Sequence, residues 1–309
     1  MRVKVLGSAA GGGFPQWNCS CANCRGLRAG TLKGRPRTQA QLAVSPAADS
    51  WILLNASPDL RQQISGDPEF APPEKLRTTP IASIILTSAD LDCVLGLLHL
   101  REFQPLRIYS TPAVRRILRE ENSFFRALER SQPSVAWENL PLNREISIGQ
   151  QAPQEKVAIL CRAIPLGGDF PDYVSEGLRR SLPKEEAVVG LELAQGEKRL
   201  FYVPSLPGCG DDWKKSVASS DVALLDGTFW TDDELSLILG NARTAREIGH
   251  LPLSGAGGLL DQLKDIRGPR RILIHLNNTN PALDEESAAN RALRDAGWEI
   301  AYDGMEFEL

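Results

Sequence analysis

The chain has 309 residues, 42% hydrophobic and 24% charged, enough apolar material for a sizeable core and far from a disordered composition. Lys+Arg 35 against Asp+Glu 39 leaves a formal charge of -4, so no basic surplus exists to carry nucleic acid or an anionic membrane. Only three histidines occur, His99, His250 and His275, which excludes any site built from four or five of them.

Val3–Leu6 reads as a short strand running into Gly7-Ser8-Ala9-Ala10-Gly11-Gly12-Gly13. A phosphate-binding loop would need a helix at once, so that its N-terminus faces the anion. Phe14-Pro15-Gln16-Trp17 follows instead, and no helix pattern appears, so a tight turn with close backbone approach is expected. Cys19, Cys21 and Cys24 come next. Their spacing lets three thiolates converge on one cation, and structural zinc is the expected occupant, with redox or unliganded thiols as the alternative. The fourth ligand is not local; His275, Asn278 or an aspartate are the candidates.

Gln41–Val44 and Trp51–Leu54 form a predicted hairpin. Ser57-Pro58-Asp59 opens a helix carrying Leu60 and Ile64, and Ile81–Leu86 is a buried strand. Ser88-Ala89-Asp90-Leu91-Asp92-Cys93 closes that strand. Asp90 or Asp92 there either caps the next helix or, with Cys93, points into a site as a metal ligand or acid/base group. Val94–Leu100 looks helical and places His99 in an apolar stripe, at the core or its boundary; Leu106–Ser110 returns to strand. The stretch 111–186 is the most polar and proline-interrupted part of the chain, and reads as a lid or insertion within a single domain covering 1–309.

Further strands are Val157–Ile164, Val188–Ala194 and Arg199–Val203, the last two a hairpin, then Val222–Leu225 and Arg271–His275. Helices fall near Trp213–Ala218 and Leu259–Ile266, giving a mixed α/β pattern. Cys161 and Cys209 read as structural thiols. Asp226-Gly227-Thr228 follows a strand, so Asp226 is either an Asx turn or a site residue. His250 in Gly249-His250-Leu251-Pro252 and His275 before Asn277-Asn278-Thr279-Asn280-Pro281 are the other site candidates. The longest apolar run, Ile84 to Leu100, is broken by Asp90 and Asp92; neither a signal peptide nor a membrane segment is expected, and the predicted compartment is cytoplasmic.

Taken together, the Gly7–Cys19 segment with Cys21 and Cys24, Asn55-Ala56-Ser57-Pro58-Asp59, Gly249-His250-Leu251-Pro252, His275 through Pro281 and Asp303-Gly304-Met305 resemble the PqqB family of pyrroloquinoline quinone (PQQ) biosynthesis. The resemblance spans essentially the whole chain and is weakest in its middle third. It implies a four-layer metallo-β-lactamase-like αββα sandwich, two mixed β-sheets flanked by helices. Hydrolases of that fold carry a His-x-His-x-Asp-His motif for two metals. Here the matching segment is Ser88 to Cys93, so the dinuclear hydrolase is disfavoured. The resemblance implies an active-site Fe2+ on Asp92, Cys93 and His275, with Cys93 where the family has a histidine, and Asp226 and His250 as outer or proton-handling groups. The activity implied is iron-dependent hydroxylation of the tyrosine ring in the Glu-Tyr PQQ precursor. The alternative is a non-catalytic carrier in transport of PQQ or its precursor towards the periplasm. Implied partners are that precursor or PQQ, other PQQ pathway proteins and a second copy in a homodimer.

Overall fold

We describe a computed structural model of the chain, covering all residues except 48–49, 73–77, 103–104, 130–134, 149–157, 209 and 241–242. The expected β-branched runs form two sheets. The first contains β1 (Arg2–Gly7), β2 (Gln41–Ala47), β3 (Ser50–Leu54), β4 (Ile81–Ile85), β5 (Leu106–Ser110) and β6 (Val135–Asn139), with β14 (Glu306–Glu308) on the outer side of β1. The second contains β7 (Glu145–Ile148), β8 (Ile159–Gly167), β9 (Val188–Gln195), β10 (Lys198–Val203), β11 (Val222–Asp226), β12 (Arg270–Ile274) and β13 (Trp298–Ile300), in the order β13-β12-β11-β10-β9-β8-β7. Val157, placed at the start of a strand by the sequence, and Cys209 lie outside the described residues.

The central strands bury both faces, and the two-residue period of side chains sorts them into different layers. Leu42, Val44, Ile52 and Leu54 from one sheet cluster with Leu191, Leu193, Leu200, Tyr202 and Leu224 from the other, filling the space between the sheets. The alternate residues Leu53, Phe201, Val203, Ala223 and Leu225 belong to the core that includes helical residues. Helices α1 (Ala22–Ala29), α2 (Leu60–Ser65), α3 (Leu91–Val94), α4 (Pro112–Arg119), α5 (Glu176–Ser181), α6 (Asp212–Ser219), α7 (Glu234–Leu239), α8 (Leu259–Gln262) and α9 (Ala288–Asp295) complete the layers. This is the metallo-β-lactamase fold, with sheets sandwiched between helices.

The two expected hairpins are present: β2 pairs antiparallel with β3, and β9 with β10. In both sheets an antiparallel half gives way to a parallel half, β3 through β6 and β10 through β13. The parallel halves matter for function, because β10, β11 and β12 discharge their carboxyl ends at one edge. The glycine-rich turn is the close approach expected of it. A Cβ on Gly7 would sit 2.0 Å from the Gln39 carbonyl oxygen. Beyond it, Ala10 N donates to Leu276 O at 2.8 Å and Leu276 N to Ser8 O at 3.0 Å, tying the turn to the loop after β12.

Some elements differ from expectation. The cysteine segment does start a helix: α1 is N-capped by the Cys21 thiol, which accepts from Cys24 N. Its polar composition carries no apolar period, so only the cap geometry defines it. The run Val94–Leu100 divides into the end of α3 and a 3-10 stretch, Leu95–Leu100, and His99 is exposed rather than part of the core. The stretch 111–186 supplies β6 to one sheet and β7 and β8 to the other. Within it α4 has Thr111 as N-cap and Pro112 in its first turn, signals diluted by three arginines.

The descent from Asn55 to α3 is fixed by contact of backbone with backbone. Gly96 N donates to Ala56 O at 2.9 Å, and a Cβ on Gly96 would lie 2.1 Å from Ser57 O and 2.8 Å from Ala56 O. Gly96→Ala is expected to cost about 2–3 kcal/mol in urea denaturation, since backbone must move to make room. Gly177→Ala in α5, where a Cβ meets nothing, is expected to gain about 0.5–1 kcal/mol.

Candidate metal centre and active site

The site assembles where β4, β10, β11 and β12 end. Asp226 is the last residue of β11 and is buried. A carboxylate so placed must be fully partnered. Its Oδ2 accepts from Leu206 N at 2.8 Å and from His250 Nδ1 at 2.7 Å; its Oδ1 accepts from Thr228 N at 2.9 Å and Thr228 Oγ1 at 2.5 Å. The Asx turn and the site residue are therefore the same group. Burial opposes the ionised form, but His250 and His275 outweigh it and hold the Asp226 carboxyl below its ordinary range.

Thr228 is the hub. With its proton given to Asp226, its oxygen lies 2.8 Å from His275 Nδ1 and 3.1 Å from His250 Nδ1. The two imidazoles stack, with ring centroids 5.4 Å apart. His275 follows β12 with φ 62, a left-handed backbone uncommon for a residue with a side chain. Its Nε2 meets Asp92 Oδ2 at 2.7 Å, so His275 has an acceptor at each nitrogen. Burial opposes a charged ring, yet Asp92, Asp226 and Asp90 together raise its pKa above the usual value. Asp92 is likewise held low by His275, against the effect of burial.

Ligand atoms of Asp226, His250 and His275 all lie within 4.8 Å of one another, and Asp92 adjoins them at His275. Two imidazoles and carboxylate oxygens suit a borderline or hard cation such as Fe2+. The predicted trio of Asp92, Cys93 and His275 is not the group that converges. Asp226 and His250, expected further out, are in it, and Cys93 is not. Cys93 lines the pocket, but its thiol rests 3.9 Å from Thr87 Oγ1 in the hydrophobic core, and burial pushes its pKa well up. Asp90 is the N-cap residue of α3 without a capping side-chain bond; its carboxylate instead accepts from Ser88 Oγ at 2.8 Å.

Asp90, Asp92, Cys93, Thr228, His250 and His275 wall a cavity of about 700 Å³ that also includes Tyr173, Ser205, Phe229 and Asn277, while Asp226 is buried behind the two imidazoles. Tyr173 closes one side by donating to Ala89 O at 2.5 Å. Asp90, Asp172 and Ser205 also border an outer cleft of about 860 Å³, lined by Arg179, Lys184, Arg243, Arg246 and several carboxylates. Thr228, Asn277 and this cleft went unrecognised in the sequence. Thr228 had a signal, two residues after the strand-end aspartate; the cleft had none, because its cations come from segments far apart in the chain.

A second cluster lies nearby. Sγ atoms of Cys19, Cys21 and Cys24 converge within 4.8 Å. Of the proposed fourth ligands, Asn278 is the one at the thiols, its Nδ2 lying 3.1, 3.5 and 3.4 Å from Cys19, Cys21 and Cys24. The amide's N and O are assigned from the hydrogen-bond network, and a flip would turn Oδ1 towards the three sulfurs. Three thiols and an amide oxygen make a donor set that zinc accepts. Asn23 Nδ2 donates to Asn278 O at 3.1 Å and Asn280 O at 2.9 Å, fastening this loop to α1.

Comparison with known proteins gives a consistent result. Residues 50–276 match the family described as Beta-lactamase superfamily domain. The chain is 41% identical over 310 residues to coenzyme PQQ synthesis protein B of Methylobacterium sp. (strain 4-46), and 42% identical over 311 residues to that of Azoarcus sp. (strain BH72), covering 100% of each. The crystal structure of Zn(2+)-bound PqqB from Methylobacterium extorquens superposes with a TM-score of 0.90 at 37% identity, over 100% of both chains. A diphosphatase from the PhnP family shares the fold alone, with a TM-score of 0.64 and 17% identity. Among the described residues, no helix is long and apolar enough to cross a membrane.

Thr228→Val keeps the shape of the hub and deletes its hydroxyl, leaving one Asp226 oxygen and His275 Nδ1 short of a partner. A loss of about 1–3 kcal/mol is expected in chemical denaturation, with Thr228→Ser recovering most of it.

Proposed function

The chain belongs to the coenzyme PQQ synthesis protein B family of the beta-lactamase superfamily, and on that basis we propose that it is an iron-dependent oxygenase hydroxylating the tyrosine ring of the Glu-Tyr-derived PQQ precursor. The observation that carries this reading is the convergence of His250 and His275 on one wall of a cavity large enough for an amino-acid-derived aromatic, with the Asp226 carboxylate buried directly behind them. Two histidines and a carboxylate form the donor set used by non-haem ferrous oxygenases. An iron held there would activate dioxygen beside the ring, one oxygen atom entering the ring and the other leaving as water at the expense of an external two-electron reductant.

The rest of the reading concerns the chain's own groups. Asp226, His250 and His275 would hold the ion. Asp92, at 2.7 Å from His275 Nε2, orients that ring and is a further oxygen donor within reach. Phe229, edge-on to His250 with ring centroids 5.8 Å apart, limits water on that side. The outer cleft mixes Arg179, Arg243 and Arg246 with Asp169 and Asp172, suiting a substrate that carries both carboxylates and an amino group. Cys19, Cys21, Cys24 and Asn278 would hold a structural zinc, consistent with the zinc-bound relative. Work in the cytoplasm, beside the other enzymes of the pathway, is part of the same proposal.

The test uses anaerobically purified, iron-loaded protein, the crosslinked Glu-Tyr substrate and ascorbate as the two-electron reductant, following oxygen uptake and a product gaining one oxygen atom. His275→Ala and Asp226→Ala are expected to lose both iron and turnover, while Asp92→Asn weakens iron binding by about 10–100-fold. Cys93 lines the pocket although its thiol turns to Thr87, and in Cys93→His the longer side chain is expected to reach the ion and tighten its binding. Tight association of the precursor without oxygen uptake in both wild type and Cys93→His would replace the oxygenase with the carrier reading.

A further inference from the structure

The loop that leaves the active site after His275 ends at a second cavity, of about 320 Å³, which shares no lining residue with the first. Its wall includes Arg35, Arg37, Arg294, Glu285, Trp298 and Tyr302. Arg37 is the unusual member, because it is 8% exposed and has no carboxylate partner among the described residues. Nη1 donates to Ser8 Oγ at 2.9 Å and to Ala301 O, whereas Nε is buried with no hydrogen-bond partner. Asp303 and, more weakly, Glu285 act on it through space, but the Asp303 carboxylate already accepts from Ser8 Oγ at 2.7 Å, Thr38 N at 2.6 Å and Thr38 Oγ1 at 2.7 Å. Asp303 thus meets Arg37 only through the Ser8 hydroxyl. Burying an arginine with so little compensation is unfavourable, and desolvation lowers its pKa to about 10.

The surrounding charges deepen the imbalance. Glu299 is taken by Arg270, with contacts of 2.6 and 2.7 Å. Glu285 is left to face Arg35 at 3.5 Å, and Arg294 reaches only its backbone oxygen, at 3.4 Å. Arg35 lies over the Tyr302 ring, 4.6 Å from its centroid, a stacking that fixes the guanidinium plane, and its N–H edge makes one long contact, to Glu285 at 3.5 Å. Three guanidiniums, one buried and one pre-oriented, therefore share a pocket with two carboxylates, of which Glu299 is taken by Arg270 and Glu285 faces Arg35 at 3.5 Å.

We propose that this cavity binds a small multivalent oxyanion, a phosphate or a polycarboxylate, through Arg35, Arg37 and Arg294. Planar forks of this kind meet such anions through paired, charge-assisted hydrogen bonds. Because Ala282 and Leu283 complete the wall, the ligand would rest against the same loop that carries Asn277 and Asn278. The inference does not depend on the oxygenase reading.

The experiment is calorimetric titration of the metal-loaded full chain at constant ionic strength in chloride, with inorganic phosphate in one arm and citrate in the other. Saturable one-site binding is expected in at least one arm; phosphate alone would identify a phosphoryl source, citrate alone a carboxylate source. The double variant Arg35→Ala/Arg294→Ala alters two exposed side chains, so the fold should persist, and affinity is expected to fall by about tenfold or more. Arg37→Lys, which keeps the charge but not the fork, should weaken binding as well. Absence of saturable binding in both arms, or binding unchanged in the double variant, overturns the proposal.

Discussion

A buried carboxylate that has to be partnered organises this molecule. Asp226 sits at the end of a strand enclosed on both faces, where an unpartnered charge would be prohibitive. Its four donors come from three places in the chain: the segment after β10, the Thr228 turn and the Gly249-His250 loop. Satisfying one charge thereby brings together the ends of β10 and β11 and both site histidines. The parallel half of the second sheet delivers those ends to one edge, and Asp226 converts that proximity into fixed geometry. Electrostatics and topology here are one constraint, since neither would hold two imidazoles in contact without the other.

The same constraint extends to the cysteines. Asn277 N donates to Thr228 O at 3.0 Å, and Asn280 Nδ2 donates to Gly227 O at 2.8 Å, so the Asn277–Asn280 loop is pinned to the turn that carries the hub. Between those two residues, Asn278 faces the three thiols. A cation at the thiols would therefore stabilise more than α1: it would brace the loop that positions Asn277 in the pocket wall. The glycine-rich turn adds a further brace, because Ser8 and Ala10 bridge to Leu276 immediately beyond His275. A side chain at Gly7 would run into Gln39 O, and Gly12 and Gly13 hold positive φ, so the turn needs these glycines although no phosphate loop is present.

Much of this was legible in the sequence, and what escaped is physically explicable. Strands whose both faces are buried appear as continuous apolar runs, so β3, β4, β11 and β12 were plain. Cysteine spacing announced a convergent cluster, and polar residues at strand ends marked Asp92, Asp226, His250 and His275. What no local pattern carries is which of these meet. Asp92 and Cys93 are neighbours in sequence, yet at the start of a helix adjacent side chains diverge, one reaching His275 and the other settling against Thr87. The helix α1 was missed because a thiol caps it, and no apolar stripe follows. Thr228 was overlooked because a threonine in a turn ordinarily signals nothing more than the turn.

The scarcity of histidine now has a structural counterpart. In the hydrolases the leading two positions of the strand-end motif are imidazoles that hold a second metal. Here those positions are Ser88 and Asp90, and they spend their polarity on each other, Ser88 Oγ donating to Asp90 Oδ2 at 2.8 Å while Asp90 N donates back to Ser88 Oγ at 3.2 Å. Burial and the nearby Asp92 raise the Asp90 pKa to about 6, outweighing the Ser88 hydroxyl and the two histidines, which pull it down. A corner closed in this way offers little to a second ion. Two neighbouring carboxylates also divide their tasks, with Asp92 held ionised by His275 and Asp90 turned towards the outer cleft. The change from histidine to serine and aspartate thus does more than delete ligands: it replaces a metal-binding corner with a hydrogen-bonded wall between the inner pocket and the cleft.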